Sequence, residues 1–322
     1  MTLKFATWNL LNFLAPPFAA YEMENIATHA QWEKKCRWIS MMLAAIDADV
    51  VGFQEVFSQQ ALTQLCQDAG LTYFATVDQP QCQDGHVCSH PVVALASRYP
   101  IVKVETVTEE AEILNAIGMS ADFHFHRTPV VATIVLPLLG ETKVFVVHLK
   151  SQRSLNDELA PVAGQWGATL HRGTEAMLLA NAVNNETMPV VVMGDFNQGL
   201  DGDSLRSLRE QCGLTDSWQL FQRSTALELA ENDTQAAHIQ SANEVTVLPE
   251  IGPRPATFYY GNQGLMLDYI LFSRHFDPKC QTSMVDIAQY QCWDRHLVSP
   301  QFDIDGSSTD HAIVTTSFVE RC

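Results

Sequence analysis

The sequence predicts an α/β protein in which two β-sheets pack face to face and helices cover their outer faces. Two patterns predict it: apolar runs of strand length recur along the chain, and amphipathic helical stretches lie between some of them. A third observation sets the domain count. The 322 residues are 47% hydrophobic, enough for a large core, and no repeat, low-complexity tract or linker divides them. Residues 1–322 therefore read as a single domain.

The runs are Leu3–Thr7, Val50–Phe53, Leu71–Val77, Val92–Ala96, Val130–Leu136, Lys143–Val147, Val190–Met193, Leu267–Phe272 and Ala312–Phe318. They are rich in Val, Ile and Phe, which suit a pleated and half-buried surface, and turn residues bound each one. Trp32–Ile46, Ala61–Ala69 and Thr174–Val183 instead repeat apolar residues at intervals of three and four, the stripe of a helix with one buried face. The last of these extends to a helix over His171–Glu186, and Pro189 marks the start of the next strand. A loop carrying Pro16-Pro17 joins the first strand to the first helix. From about Thr225 to Pro255 the chain is polar, acidic and weakly periodic, an extended surface segment.

Composition narrows the function. No stretch approaches the roughly 20 apolar residues of a membrane span. The start, Met1 to Asn9, lacks the basic and apolar regions of a signal peptide, so a soluble cytoplasmic monomer is expected unless a leader has been removed. The formal net charge is -18, from 19 Lys plus Arg against 37 Asp plus Glu. Binding along a duplex draws on Lys and Arg, so this balance weighs against a non-specific DNA binder. None of the eight cysteines forms a CxxC pair, which argues against a zinc ribbon. Cys36 and Cys66 fall in helical patterns as small buried hydrophobes. Cys82, His86, Cys88 and His90 admit a metal clip, a disulfide or a plain polar loop, with the loop favoured because the spacing matches no zinc pattern.

The polar residues that stand out lie at strand ends. Gly194-Asp195-Phe196-Asn197 follows an apolar strand, and Asp195 and Asn197, two apart, share one face. Thr7-Trp8-Asn9 and Gly52-Phe53-Gln54-Glu55 end the first two strands, His148-Leu149-Lys150 ends another, Asp268 opens one, and Asp310-His311 precedes the last. A single strand-end acid is usually a cap or a turn former. Four acids, two histidines and two asparagines at strand rims point instead to one cleft between two sheets. Carboxylates such as Glu55, Asp195 and Asp310 suit Mg²⁺ or Mn²⁺. His148 and His311 can move protons or donate to phosphate, and an acid behind a histidine fixes its tautomer. The set is equipment for metal-assisted attack of water on phosphorus.

In this order, from TWNLLNF to STDHAIV, these motifs resemble the endonuclease/exonuclease/phosphatase superfamily, which includes pancreatic deoxyribonuclease, abasic-site endonucleases, sphingomyelinases and inositol-polyphosphate 5-phosphatases. Ala94–Ile101 and Arg127-Thr128-Pro129 add secondary matches. The resemblance implies a four-layer α/β/β/α sandwich of two packed mixed sheets with outer helices. It implies Glu55 as principal metal ligand, assisted by Asn9, with Asp310 beside the Mg²⁺ or Mn²⁺. Asp195 and Asn197 would position water or phosphate, and His311, oriented by Asp268, would be base or transition-state stabiliser. His148 would bind phosphate or assist the leaving group, with Arg127 and Lys150 as phosphate contacts. The chain departs from the deoxyribonuclease branch at Cys88-Ser89-His90-Pro91, where that branch carries a glutamate supporting the equivalent of His148.

The substrate stays open between nucleic acid, cut by a phosphodiesterase or nuclease, and a small or lipid-linked phosphate ester. A non-catalytic binding protein would have let the site decay, and every core position is intact. Cations near the motifs are Arg127, Lys150, Arg153 and Arg172, the last favoured as a helix-surface ion pair. Trp166 and Phe196 could stack on a base or headgroup, with core packing the stronger reading for Phe196.

Overall fold

Two six-stranded mixed sheets carry the molecule, seen here in a computed structural model that describes residues 1–83, 85–154, 160–225 and 252–321. The first sheet contains β1 (Thr2–Phe13), β2 (Val50–Val56), β3 (Tyr73–Ala75), β4 (Val92–Ser97), β11 (Val285–Trp293) and β12 (Ile313–Glu320), in the order β11-β12-β1-β2-β4-β3. The second contains β5 (Ile101–Glu105), β6 (Val130–Leu136), β7 (Gly140–His148), β8 (Val190–Asp195), β9 (Thr215–Asp216) and β10 (Asp268–Phe272), ordered β9-β10-β8-β7-β6-β5.

The sheets are apolar on both faces because each is covered twice. Phe5, Val50, Leu95 and Phe318 of the first meet Val144, Val146, Met193 and Phe272 of the second in one buried cluster. Gly52 allows the close approach, since a Cβ there would lie 2.9 Å from Met193 Sδ. The alternate residues face outward onto helices. Trp8, Val51 and Phe53 pack on α1 (His29–Ile46) and α2 (Gln59–Asp68), and Phe145, Val147 and Val192 pack on α3 (Pro161–Asn184). The result is the expected α/β/β/α layering.

Helix ends follow local chemistry. Thr28 caps α1 through a reciprocal box with Gln31, and Pro161 opens α3, where its missing N–H costs nothing. That start lies ten residues before the expected one at His171. The first turns of α3 expose Val162, Trp166 and Leu170, so no buried stripe announces them. Three strands of the two large sheets also escape the apolar pattern. β5 and β9 lie at sheet edges, and edge strand β11 carries a register shift between Ile287 and Gln289 that breaks its alternation.

Cys82 and Cys88 face each other across the short pair Gln81–Gln83 and Val87–Ser89 and are joined as a disulfide, which replaces the favoured polar-loop reading. Cys66 is buried as expected, whereas Cys36 is only partly so. Nearly all of the polar segment expected near 225–255 lies outside the described residues. Among the described residues no helix is long and apolar enough to cross a membrane.

Candidate active site at the rim of the two sheets

Strand ends from both sheets converge on one rim. β1, β2, β7 and β8 arrive there with their C-terminal ends, and β10 and β12, antiparallel to their neighbours, begin there. Register places His148 beside Asp195 and Asp195 beside Asp268. The parallel pairing of β7 and β8 also explains Gly194. Its φ is 153°, and a Cβ would fall 1.9 Å from Val147 O, so no larger residue fits.

Asp195 is the hub. Its Oδ2 accepts from Asn9 Nδ2 at 3.1 Å and lies 3.4 Å from His148 Nε2 and 3.9 Å from His311 Nε2, while Oδ1 accepts from Asn197 N at 2.8 Å. Burial drives its pKa up to about 7 against the opposing pull of His311. His311 Nδ1 stands 2.8 Å from Asp268 Oδ2, and Asp268 is fully buried. Burial alone would discharge the ring, but Asp268 and Asp195 together outweigh it and raise the pKa to about 10. His148 meets the opposite fate. Burial, then Arg127 and His311, hold it neutral, and its Nδ1 has no partner among the described residues.

The first sheet contributes Glu55 at φ 60°, a left-handed conformation that costs energy for a residue with a Cβ. Its Oε1 accepts from Asn9 Nδ2 at 3.3 Å and its Oε2 from Asn12 N at 2.9 Å. The amide of Asn9 thus bridges Glu55 and Asp195, damping a repulsion that a cation would otherwise have to relieve. Asp310 is exposed as a residue at the mouth, yet the groups around its carboxyl desolvate it enough that, together with Glu55, they hold its pKa above the ordinary value in spite of His311.

Two donor sets could hold a metal, and they differ. Asp195, Asp268 and His311 offer atoms within 4.8 Å of one another. That trio suits a cation poorly, because Nδ1 of His311 is committed to Asp268 and the ring keeps its proton. Glu55 and Asp310, with the amide of Asn9 between the sheets, fit a hard oxygen-seeking ion better. As oriented, however, Asn9 offers Glu55 its donor nitrogen, and its Oδ1 accepts from Leu11 N.

Arg127 has its Nε and Nη1 buried without partners among the described residues and its guanidinium beside the Tyr21 phenol. Lys150 is buried, and burial with Arg127 lowers its pKa to about 8. Its Nζ turns to Ser151 and to Arg153 O. Asn197 donates from Nδ2 to Leu149 O, closing the turn after Asp195.

Arg172 departs from the expected surface ion pair. It is 2% exposed and clamps Lys150 O, Gln198 Oε1 and Ser204 Oγ, because the buried face of α3 lies under the loops that follow β7 and β8. Its neighbour Glu175 escaped notice in the sequence. The buried carboxylate accepts from the backbone N of Lys150 at 2.6 Å and of His126 at 2.8 Å, fixing the segments that carry Lys150 and Arg127. An acid and an arginine three residues apart in an otherwise apolar helix were the available signal. Lys35 of α1 was missed as well. Burial lowers its pKa to about 8 although Glu55 and Asp310 lie near it. Phe196 packs on Tyr269 in the core, and Trp166 is 64% exposed.

A four-layer sandwich with acids and histidines converging at one sheet rim defines the class of phosphoester-cleaving folds. The chain belongs to the Endonuclease/Exonuclease/phosphatase family, whose model matches residues 6–311. No curated protein matches it. Similar solved structures include a humanized D. rerio TDP2 at 12% identity, covering 99% of each chain with a TM-score of 0.59. The human nocturnin catalytic domain with bound sulfate is 15% identical, with 99% of this chain and 95% of that chain covered and a TM-score of 0.57. The 3′ phosphatase NExo from Neisseria, bound to product DNA hairpin, is 16% identical over 98% of this chain and 99% of its own, with a TM-score of 0.53. At such identities the likeness concerns the fold alone.

Proposed function

We propose that the chain is a divalent-metal-dependent phosphoesterase, a phosphodiesterase of the nuclease type, working as a single-domain monomer. The observation that carries this reading is the meeting of Glu55, Asn9, Asp195, Asp268 and His311 from both sheets in one array of hydrogen bonds and a 3.9 Å ion pair. Glu55 and Asp310, with Asn9, would hold Mg²⁺ or Mn²⁺, which would supply charge neutralisation at the phosphate oxygens. His311, kept cationic by Asp268, donates from Nε2 to a phosphoryl oxygen as negative charge builds. Asp195, its pKa near neutrality, takes the proton of the attacking water at Oδ2, and Asn197 N holds the other carboxylate oxygen. Arg127 receives the phosphate with its unpartnered N–H groups, and neutral His148 supplies a further ring contact.

A second reading, a phosphoesterase for small or lipid-headgroup phosphates, is favoured by the net charge of -18. Cytoplasmic placement, expected from the sequence, sits poorly with the Cys82–Cys88 bridge, a feature of oxidising compartments. Hydrolysis with Mg²⁺ or Mn²⁺ should be followed on plasmid, single-stranded oligonucleotide, RNA, sphingomyelin, inositol phosphates and bis-p-nitrophenyl phosphate. Activity should vanish in EDTA and collapse in Glu55→Ala and His311→Ala. Retained turnover in either variant would sink the site assignment.

A further inference from the structure

A cavity of about 360 Å³ lies against the site, and none of the roles above uses it. The Leu11–Asn12 turn, Trp32 and Lys35 of α1, and Ser307 and Ser308 wall it. Its size falls in the range that receives small organic ligands. The turn is a shared wall. Leu11 N donates to Asn9 Oδ1 at 3.0 Å and Asn12 N to Glu55 Oε2 at 2.9 Å, while Ser308 stands two residues before Asp310. Both turn residues are left-handed, with φ of 49° and 48°, where the register between β1 and β2 breaks. The chain therefore swings out of the sheet here and opens space beside the carboxylates.

Lys35 is the one charged residue in the cavity's lining. Its Nζ donates to Leu11 O at 2.8 Å, which leaves two of its three N–H groups for another acceptor. The acids near it are Glu55 and Asp310, the pair assigned to a cation. Ser307, Ser308, Asn25 and Gln31 add polar groups, and Leu14 and Ile26 apolar ones, to a wall sized for a compact ligand rather than for a duplex.

We propose that this cavity binds a second phosphate of the substrate through Lys35, so that the preferred substrates are compact phosphoesters bearing a further phosphate near the scissile one. The proposal rests on the phosphoesterase reading and deepens it. The test is steady-state kinetics of the full chain in Mg²⁺ on two matched pairs. One is thymidine 5′-(p-nitrophenyl phosphate) with and without a 3′-phosphate, and the other is fructose 1,6-bisphosphate against fructose 6-phosphate. In whichever pair is cleaved, kcat/KM should favour the bisphosphorylated member by about tenfold or more, the worth of a hydrogen bond between charged groups. The gain should lie mainly in KM. Lys35→Met should erase most of that preference and Lys35→Arg should keep it. Equal kcat/KM for both members in the wild type overturns the proposal without recourse to any variant, and so does a preference that survives Lys35→Met. Turnover of bis-p-nitrophenyl phosphate with neither pair cleaved overturns it while leaving the phosphoesterase reading intact. No turnover of any phosphoester removes both.

Discussion

The two sheets bring different kinds of acid to the rim. The second sheet supplies Asp195 and Asp268, both buried, both already engaged, and linked through His311 into a compact charge array. The first sheet supplies Glu55, held at a left-handed φ and only partly buried, and the strand β12 of that sheet is entered through exposed Asp310. One half is sealed before any ligand arrives, and the other, though Glu55 already accepts from Asn9 and Asn12, stays partly open to the mouth. The proposed metal-dependent mechanism calls for both conditions, because open oxygens attract a metal and buried ones shift pKa values.

The buried half should be the more fragile. Asp268→Asn leaves the His311 cation without its partner at zero exposure, and losing one member of a buried pair typically costs about 3–5 kcal/mol. Urea unfolding in EDTA should show a loss of that order, with hydrolysis falling alongside. A change under about 1 kcal/mol would mean that the pair is not charged in the metal-free protein.

The open half should respond to metal instead. Ligand that binds only the folded state stabilises by about 2.7 kcal/mol at a hundred times its Kd. Mg²⁺ or Mn²⁺ should therefore raise the Tm of the wild type, and Glu55→Gln should abolish most of that rise. An equal rise in the variant, together with loss of the rise in Asp268→Asn, would move the metal to the Asp195–Asp268–His311 trio.

How much of this contrast was legible in the sequence follows from where each residue takes its meaning. Gly194-Asp195-Phe196-Asn197 is a local pattern, an acid and an amide two residues apart at the end of an apolar strand, and it could be read from neighbours alone, whereas the need for the glycine comes from Val147 across the β7–β8 pair. The layering was legible for the same reason, with nine apolar runs matching strands in the two sheets. Glu175 and Arg172 were not, because what they do is set by loops far away in the chain that fold over α3. Lys35 looks like a solvated helix residue until the turn at Leu11 comes to rest on it. The Cys82–Cys88 bridge depends on a strand pairing that spacing alone leaves ambiguous.

The pH dependence of the buried half is a sharper probe. The folded-state pKa of His311 is raised from 6.5 to about 10, so the folded protein binds more protons than the unfolded chain between those values. Its contribution to stability is fully present below about pH 6.5 and is lost as pH rises toward 10. Asp195, raised from 3.8 to about 7, acts in the same direction at lower pH. In EDTA, the His311 contribution should fall across pH 7 to 9 with a slope approaching about 1.4 kcal/mol per unit, against the opposing rise that Lys35 and Lys150, both lowered to about 8, bring to wild type and variant alike. His311→Gln should flatten that slope. A slope unchanged in the variant would place the titration elsewhere.

The smallest effect belongs to the open half without metal. Glu55→Gln keeps a side-chain oxygen for Asn12 N and keeps the backbone at φ 60°, and it removes a charge that faces Asp195 and Asp310. The hydrogen bond from Asn9 is lost, because the glutamine nitrogen takes the place of its acceptor Oε1, while the like-charge repulsion is relieved, and the two changes oppose each other. In EDTA the variant should unfold within about 1 kcal/mol of wild type, and activity in Mg²⁺ should nevertheless be lost. A loss as large as that of Asp268→Asn would show that Glu55 belongs to the preassembled array. The division of the rim into a fixed half and an open half would then fail.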